Sequence, residues 1–151
     1  MLTTMAHQIA VIGSGAQWED AAEEVGRLLG ERGCTVVTGG LGEVMAAAHR
    51  GAKSAGAATI AILPGEDRSA ANAWADHVVV TGIGHARNLA VAASGDAVIA
   101  VGGSYGTIAE MALALRLGRC VVALGGAPSV EGVLTAASPV EAVELALRDL
   151  G

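Results

Sequence analysis

Residues 97–117, AVIAVGGSYGTIAEMALALRL, contain a strand, a glycine turn and a helix in direct succession. The run 97–101 is apolar throughout, which is typical of a strand buried on both faces of a parallel sheet. Gly102 and Gly103 interrupt that run, and residues 106–117 continue with the apolar spacing of a helix. This stretch therefore predicts one β-turn-α unit of an α/β fold.

The same succession of strand, glycine and helix recurs along the chain. Further strands are predicted at 8–12, 34–38, 58–63, 77–81 and 120–124. Further helices are predicted at 18–32, 42–55, 85–94 and from Ser138 and Pro139 onward, whereas residues 66–76 lack a period and are interpreted as a loop. We therefore predict a single Rossmann-like, three-layer α/β/α domain over residues 1–151, with a mainly parallel sheet of about six strands.

Composition and charge narrow the classes of function. The net charge of −6 argues against nucleic-acid binding, which a basic surface drives, and the only aromatic residues are Trp18, Trp74 and Tyr105. No segment reaches the roughly 18 consecutive apolar residues of a membrane helix, and the amino terminus lacks the pattern of a secretory signal. We therefore predict a cytoplasmic protein that binds neither nucleic acid nor a membrane.

The cysteines and histidines do not have the spacing of metal ligands. Cys34 and Cys120 each open an apolar, strand-like run, which is typical of a small buried hydrophobic residue. The four histidines are scattered, and none lies near a cysteine at ligand spacing. The sequence predicts neither a metal site nor a disulfide framework.

Glycines follow nearly every predicted strand, and they mark a candidate ligand edge. Ligands of open α/β sheets bind at the carboxyl ends of the strands, although glycine also serves simply to make tight turns. The stretch 102–107 is the strongest candidate, because free amides and the dipole at a helix start favour an anion. The predicted binding residues are Gly13, Ser14, Gly39, Gly40, Met45, Gly102, Gly103, Ser104, Tyr105, Gly106 and Thr107.

Two familiar motifs are present only in part. Gly13 and Gly15 begin a dinucleotide fingerprint, but Trp18 stands at the position of its third glycine, and the second strand ends without an acidic residue. The stretch 102–106 matches the G-x-S-x-G elbow of hydrolases. All four histidines precede Ser104, however, whereas the histidine of that triad follows the serine. Neither a dinucleotide oxidoreductase nor a serine hydrolase is predicted.

Residues 85–110, HARNLAVAASGDAVIAVGGSYGTIAE, resemble the LOG family of cytokinin riboside monophosphate phosphoribohydrolases, also called lysine-decarboxylase-like proteins. That family has an Arg-Lys pair on one helix and a strand ending in Pro-Gly-Gly-x-Gly-Thr-x-x-Glu. Arg87 matches the Arg of the pair, and Thr107 and Glu110 match the second motif. Gly39 and Gly40, with Met45 further on, resemble a shortened form of the family's glycine loop and Leu-Met pair. The resemblance implies that Arg87 and Glu110 are catalytic.

Three positions depart from the LOG pattern. Asn88 replaces the family's Lys, and Gly102 and Ser104 replace its Pro and second Gly. These changes resemble the related branch of molybdenum-cofactor-carrier-like proteins. The resemblance therefore implies phosphate or cofactor binding more directly than it implies hydrolysis.

The residues alone leave several roles open. Thr107 either caps its helix or donates its hydroxyl to a ligand, and Glu110 either closes a capping box on the amide of Thr107 or faces the ligand. Arg87 is either a solvated surface residue or the partner of a ligand anion or of Glu110. The pairing is favoured because an unpaired cation near a helix start interacts unfavourably with the helix dipole.

Three functions follow from these roles. The first is binding of a nucleoside monophosphate-like or pterin-phosphate ligand, such as an AMP-like nucleotide or the molybdenum cofactor. The second is hydrolysis of the N-glycosidic bond of a nucleoside 5′-monophosphate, and the third is a structural or interaction role with a vestigial pocket. The helix at 106–117 is apolar on more than one face, which predicts a homodimer.

Overall fold

The computed structural model describes residues 5–151 and contains one seven-stranded sheet. The strands are β1 (Gln8–Ser14), β2 (Thr35–Thr38), β3 (Thr59–Leu63), β4 (His77–Val80), β5 (Ala97–Gly102), β6 (Cys120–Leu124) and β7 (Leu134–Ala136). Their order is β4-β3-β2-β1-β5-β6-β7, and every neighbouring pair is parallel. The predicted Rossmann-like fold is confirmed. The prediction of about six strands missed β7, whose three residues are too few to show a period.

Within residues 5–151, five helices cover the two faces of the sheet. They are α1 (Glu19–Glu31), α2 (Glu43–Ser54), α3 (Arg87–Ser94), α4 (Tyr105–Arg116) and α5 (Pro139–Leu147), with short 3-10 turns at Ala16–Trp18, Arg68–Ala70 and Gly84–Ala86. As predicted, Ser138 caps α5, because its side chain accepts a hydrogen bond from the amide of Glu141. None of the helices in residues 5–151 is long and apolar enough to cross a membrane.

Each face of the sheet carries its own hydrophobic core. Ile9 and Val11 of β1 pack with α1, α2 and α5, whereas Ala10 and Ile12 pack with α3 and α4. Alternate side chains of a strand point to opposite faces, so one apolar run fills both cores. Cys34 is buried in the first core as predicted, and Cys120 is half-buried; burial raises the pKa of both thiols.

Helices α1 and α2 contact each other backbone to backbone. A Cβ on Gly51 would lie 1.9 Å from the carbonyl oxygen of Glu23, and one on Gly26 would lie 2.0 Å from the carbonyl oxygen of Ala48. Real Cβ atoms do not approach this closely. Glycine at both positions therefore lets the two helices cross at a short distance over β1 and β2.

We expect Gly51→Ala to lower the free energy of unfolding by about 1–3 kcal/mol, because its methyl group overpacks this crossing. The sign of this change in free energy is informative, because at an open helix position alanine is more stable than glycine by about 1 kcal/mol and the change would be opposite. Gly106→Ala in α4 is the matched control, because nothing lies within 4 Å of its Cβ position. Urea denaturation measures both variants, and a Gly51→Ala protein as stable as the wild type would contradict the close crossing.

The strand order reverses between β1 and β5. Strands β2 to β4 lie to one side of β1, and β5 to β7 lie to the other. The loops that follow β1 and β5 therefore diverge and leave a crevice at the carboxyl edge of the sheet. Gly13 lies in this region with a φ of 124°, and a Cβ there would lie 1.9 Å from the carbonyl oxygen of Val101.

Candidate functional site

A cleft of about 210 Å³ opens where the strand order reverses, between the ends of β1 and β5 and the starts of α2, α3 and α4. Eight of the predicted site residues line it: Gly13, Ser14, Met45, Arg87, Ser104, Gly106, Thr107 and Glu110. His85 and Asn88 also line it. In the sequence His85 is one of four scattered histidines and Asn88 is a departure from the LOG motif, although both lie within two residues of Arg87.

The other predicted site residues do not line the cleft. Gly39 lies against the guanidinium of Arg87, and Gly40 lies against Ala61 and Leu63 of β3. Gly102 and Gly103 have φ values of 62° and 120° and form the turn before α4. Tyr105 is 89% exposed, and the structure does not bring its side chain into the cleft. Its assignment from the sequence came from the surrounding motif, which fixes the backbone of the turn and leaves that side chain in solvent.

The start of α4 differs from the prediction by one residue, which changes two roles. Ser104 is the N-cap, and its amide donates to the side-chain oxygen of Thr107 at 3.2 Å. The interpretation of Thr107 as the cap is therefore wrong, because Thr107 is the third residue of the helix. The amides of Tyr105 and Gly106 in the first turn of α4 have no partners within the helix, and they place a partial positive charge beside the cleft that Gly106 and Thr107 line.

Glu110 lies in the second turn of α4 with its side chain in the cleft. The alternative in which Glu110 closes a capping box on the amide of Thr107 is wrong, because the capping box of α4 is formed by Ser104 and Thr107. Glu110 is only 6% exposed, and this burial raises its pKa to about 7, against the opposing charge of Arg87. At neutral pH this carboxyl therefore exchanges a proton readily, as a general acid or base requires.

Arg87 is the first residue of α3 and is 8% exposed, so its interpretation as a solvated surface residue is wrong. One guanidinium nitrogen donates to Oδ1 of Asn88 at 2.6 Å, and the other terminal nitrogen donates to the carbonyl oxygen of Gly39 at 3.3 Å. Its Nε is buried and has no hydrogen-bond partner within residues 5–151. Burial lowers the pKa of Arg87, and the charge of Glu110 opposes that shift. Arginine nevertheless keeps its charge in proteins.

Arg87 and Glu110 line the same cleft. In the described part of the chain no direct ion pair joins them. The cleft therefore combines a buried cation, a buried titratable carboxyl and the positive end of a helix. This set of groups fits an anionic ligand with further polar groups beside the anion.

Comparison with known proteins places this fold in a family. Residues 6–146 match the SLOG cluster4 family. The chain belongs to that family. An uncharacterized protein from Archaeoglobus fulgidus is 45% identical over 139 residues, which cover 90% of this chain and 91% of that protein.

Solved structures similar to this SLOG cluster4 protein include two whose names refer to molybdenum cofactor. The molybdenum cofactor binding protein from Rippkaea orientalis is 31% identical, with a TM-score of 0.91 over 99% of this chain and 100% of that one. The molybdenum cofactor carrier protein from Chlamydomonas reinhardtii is 33% identical, with a TM-score of 0.87 over 97% and 99%. These similarities agree with the carrier-like branch indicated by Asn88 and Ser104.

Proposed function

We propose that this protein binds a phosphate-bearing nucleotide or cofactor in the cleft between β1 and β5. The observation that carries the proposal is Arg87, a buried cation with an unpartnered Nε and no ion pair among the described residues. A buried charge is costly unless a counter-charge accompanies it. A phosphate monoester supplies that charge together with acceptor oxygens for the guanidinium and for the amides of α4.

Two ligand classes carry such a phosphate: an AMP-like nucleoside monophosphate and the pterin phosphate of the molybdenum cofactor. The similarity to the Rippkaea and Chlamydomonas proteins favours the pterin phosphate, which would then be cargo. The residues of the cleft fit the phosphate end of either ligand. In this proposal the phosphate lies against the turn from Ser104 to Thr107, which lines the same cleft as Gly13 and Ser14.

A second candidate function is hydrolysis of the N-glycosidic bond of a nucleoside 5′-monophosphate, and Glu110 is the observation that favours it. In that reaction water adds to C1′ of the ribose while the base leaves and takes up a proton. A carboxyl with a pKa of about 7 can hold the water and accept its proton at neutral pH. Asn88, where the LOG family has a Lys, favours the carrier instead.

Three further expectations belong to the proposal: a homodimer, a cytoplasmic location and no nucleic-acid partner. The exposed side chains of Leu89 on α3 and Ile108 on α4 support a homodimer that covers these helices. We also propose a cytoplasmic location and no nucleic-acid partner, on the basis of composition and net charge. A ligand bound in the cleft would exclude a purely structural role.

The proposal is tested by titrating AMP into the purified protein and following both melting and adenine release. At about one hundred times its Kd, AMP stabilises the folded state by about 3 kcal/mol, so the melting temperature rises. Adenine released by the wild type would make the protein a phosphoribohydrolase, whereas stabilisation without adenine would make it a carrier. No stabilisation by AMP or by a pterin phosphate would contradict the proposal.

We expect Gly39→Ala to weaken AMP binding roughly tenfold while the fold is retained. The new Cβ would lie 2.7 Å from Cζ of Arg87, and a flexible side chain yields more easily than the backbone, so the guanidinium moves. Gly42→Ala is the control, because its Cβ position is open and lies in the same loop. Calorimetry compares the two, and equal affinities in both variants would mean that Arg87 does not depend on Gly39.

A further inference from the structure

Asn72 connects the segment between β3 and β4 to the turn at Gly39 and Gly40, which we call the 39–40 turn. The backbone amide of Asn72 donates to the carbonyl oxygen of Gly40 at 2.9 Å. Its side-chain Nδ2 donates to the same oxygen at 3.4 Å. The segment 66–76, interpreted as a loop from the sequence, is thus fixed to the loop after β2.

The orientation of the Asn72 amide follows from its other partners. Its Oδ1 accepts a hydrogen bond from the amide of Trp74 at 2.9 Å, so Nδ2 is the atom that faces Nδ1 of His49 at 3.2 Å. Because Nδ2 can only donate, Nδ1 of His49 accepts, and the ring proton lies on Nε2. His49 is fully buried in α2, and burial lowers its pKa to about 4, so the ring is neutral at physiological pH.

Arg87 contacts the other residue of the 39–40 turn, Gly39. The guanidinium lies against Gly39 and donates to its carbonyl oxygen at 3.3 Å. Gly40 has a φ of 80°, and a Cβ there would lie 2.7 Å from side-chain carbons of Ala61 and Leu63. The turn is therefore held between β3, Asn72 and Arg87, with no space for it to shift toward β3.

We propose that Asn72, oriented by His49, is a positioning residue that holds the 39–40 turn beneath Arg87 and so fixes the guanidinium in the cleft. The proposal rests on the proposed function, since it explains how the anion-binding arginine is held before a ligand arrives. Binding is stronger when the bound geometry is already formed in the free protein. Asn72 itself lies outside the cleft, and its effect on the ligand passes through Gly39 and Gly40.

The test combines Asn72→Ala with Ser69→Ala as the matched control. Ser69 lies in the same segment, and among residues 5–151 its hydroxyl bonds only to Asp67, at 2.7 Å, and not to the 39–40 turn. We expect Asn72→Ala to weaken the binding of inorganic phosphate and of AMP about tenfold by calorimetry, and Ser69→Ala to leave it unchanged. If Asn72→Ala does not fold, Asn72→Asp keeps the acceptor for Trp74 and replaces the Nδ2 donor with a carboxylate oxygen, which cannot donate to Gly40.

Nitrogen-15 NMR provides a readout that needs no ligand. The wild type is expected to show His49 protonated on Nε2, and the Nε–H signal of Arg87 is expected to shift in Asn72→Ala but not in Ser69→Ala. If the wild type binds neither phosphate nor AMP, the proposed function fails, while these signals still decide the positioning role. An unmoved Arg87 signal, or His49 protonated on Nδ1 in the wild type, would overturn the inference.

Discussion

Arg87→Met is expected to lose about a hundredfold in affinity for AMP, which corresponds to about 3 kcal/mol, while the protein stays folded. Methionine retains much of the apolar volume of the side chain but removes the charge that pairs with the phosphate. The stability of the free protein should change little or rise, because the wild type buries this cation without an ion pair among the described residues.

Arg116→Met is the control for this prediction. Arg116 is exposed at the other end of α4, and its loss changes the net charge by the same amount. Calorimetry at fixed pH and ionic strength compares the two variants with the wild type. If the affinity of Arg87→Met for AMP is within twofold of the wild type, or if both variants lose affinity equally, then Arg87 does not bind the phosphate.

Glu110→Gln is expected to change the pH dependence of stability. The pKa of Glu110 is about 7 in the folded protein, above its ordinary value of 4.5, so the fold favours the neutral carboxyl. The associated stabilisation is complete below about pH 4.5, decreases as the pH rises and is lost above 7, a change of about 3 kcal/mol. Glutamine stays neutral at every pH, so the variant does not lose this stabilisation. Between pH 4.5 and pH 8 the free energy of unfolding of Glu110→Gln should therefore rise relative to that of the wild type by about 3 kcal/mol.

Urea denaturation at pH 4.5 and pH 8 measures this difference, with exposed Glu43→Gln as the control. Parallel pH profiles for the wild type and Glu110→Gln would show that the carboxyl is not buried as described. The same variant separates the two candidate functions. If the wild type releases adenine from AMP, Glu110→Gln should lower that rate by about 10²–10⁴ while AMP still binds.

The sheet could be predicted from the sequence because apolar runs and glycines repeat with a clear order. The runs 97–101 and 120–124 mark buried strands that the structure contains as β5 and β6. The start of α4 was harder to place, because Ser104 and Thr107 are both good capping residues. In the structure Ser104 is the cap, and the preceding Gly103 has a φ of 120° and lies so close to Thr107 that a Cβ would be 2.2 Å from its Oγ1. A sequence shows neither that angle nor that contact.

The candidate site was likewise predictable from the sequence only in part. Ser104, Gly106 and Thr107 adjoin one another in the chain, so a local motif suffices to group them with the start of a helix. The contact of Arg87 with Gly39 and the bonds from Asn72 to Gly40 join residues that are far apart in sequence. These contacts depend on how α3 and the segment after β3 pack against the 39–40 turn, which no local pattern encodes.

The most direct test of the anion site is an NMR titration of the isotopically labelled protein with inorganic phosphate. Saturable shifts of the backbone amides of residues 104–107 and of the Arg87 Nε–H signal are the predicted result. Phosphate shifts that never saturate would contradict the account. So would shifts confined to the separate cavity at the ends of β6 and β7, which Ser129 and Thr135 line.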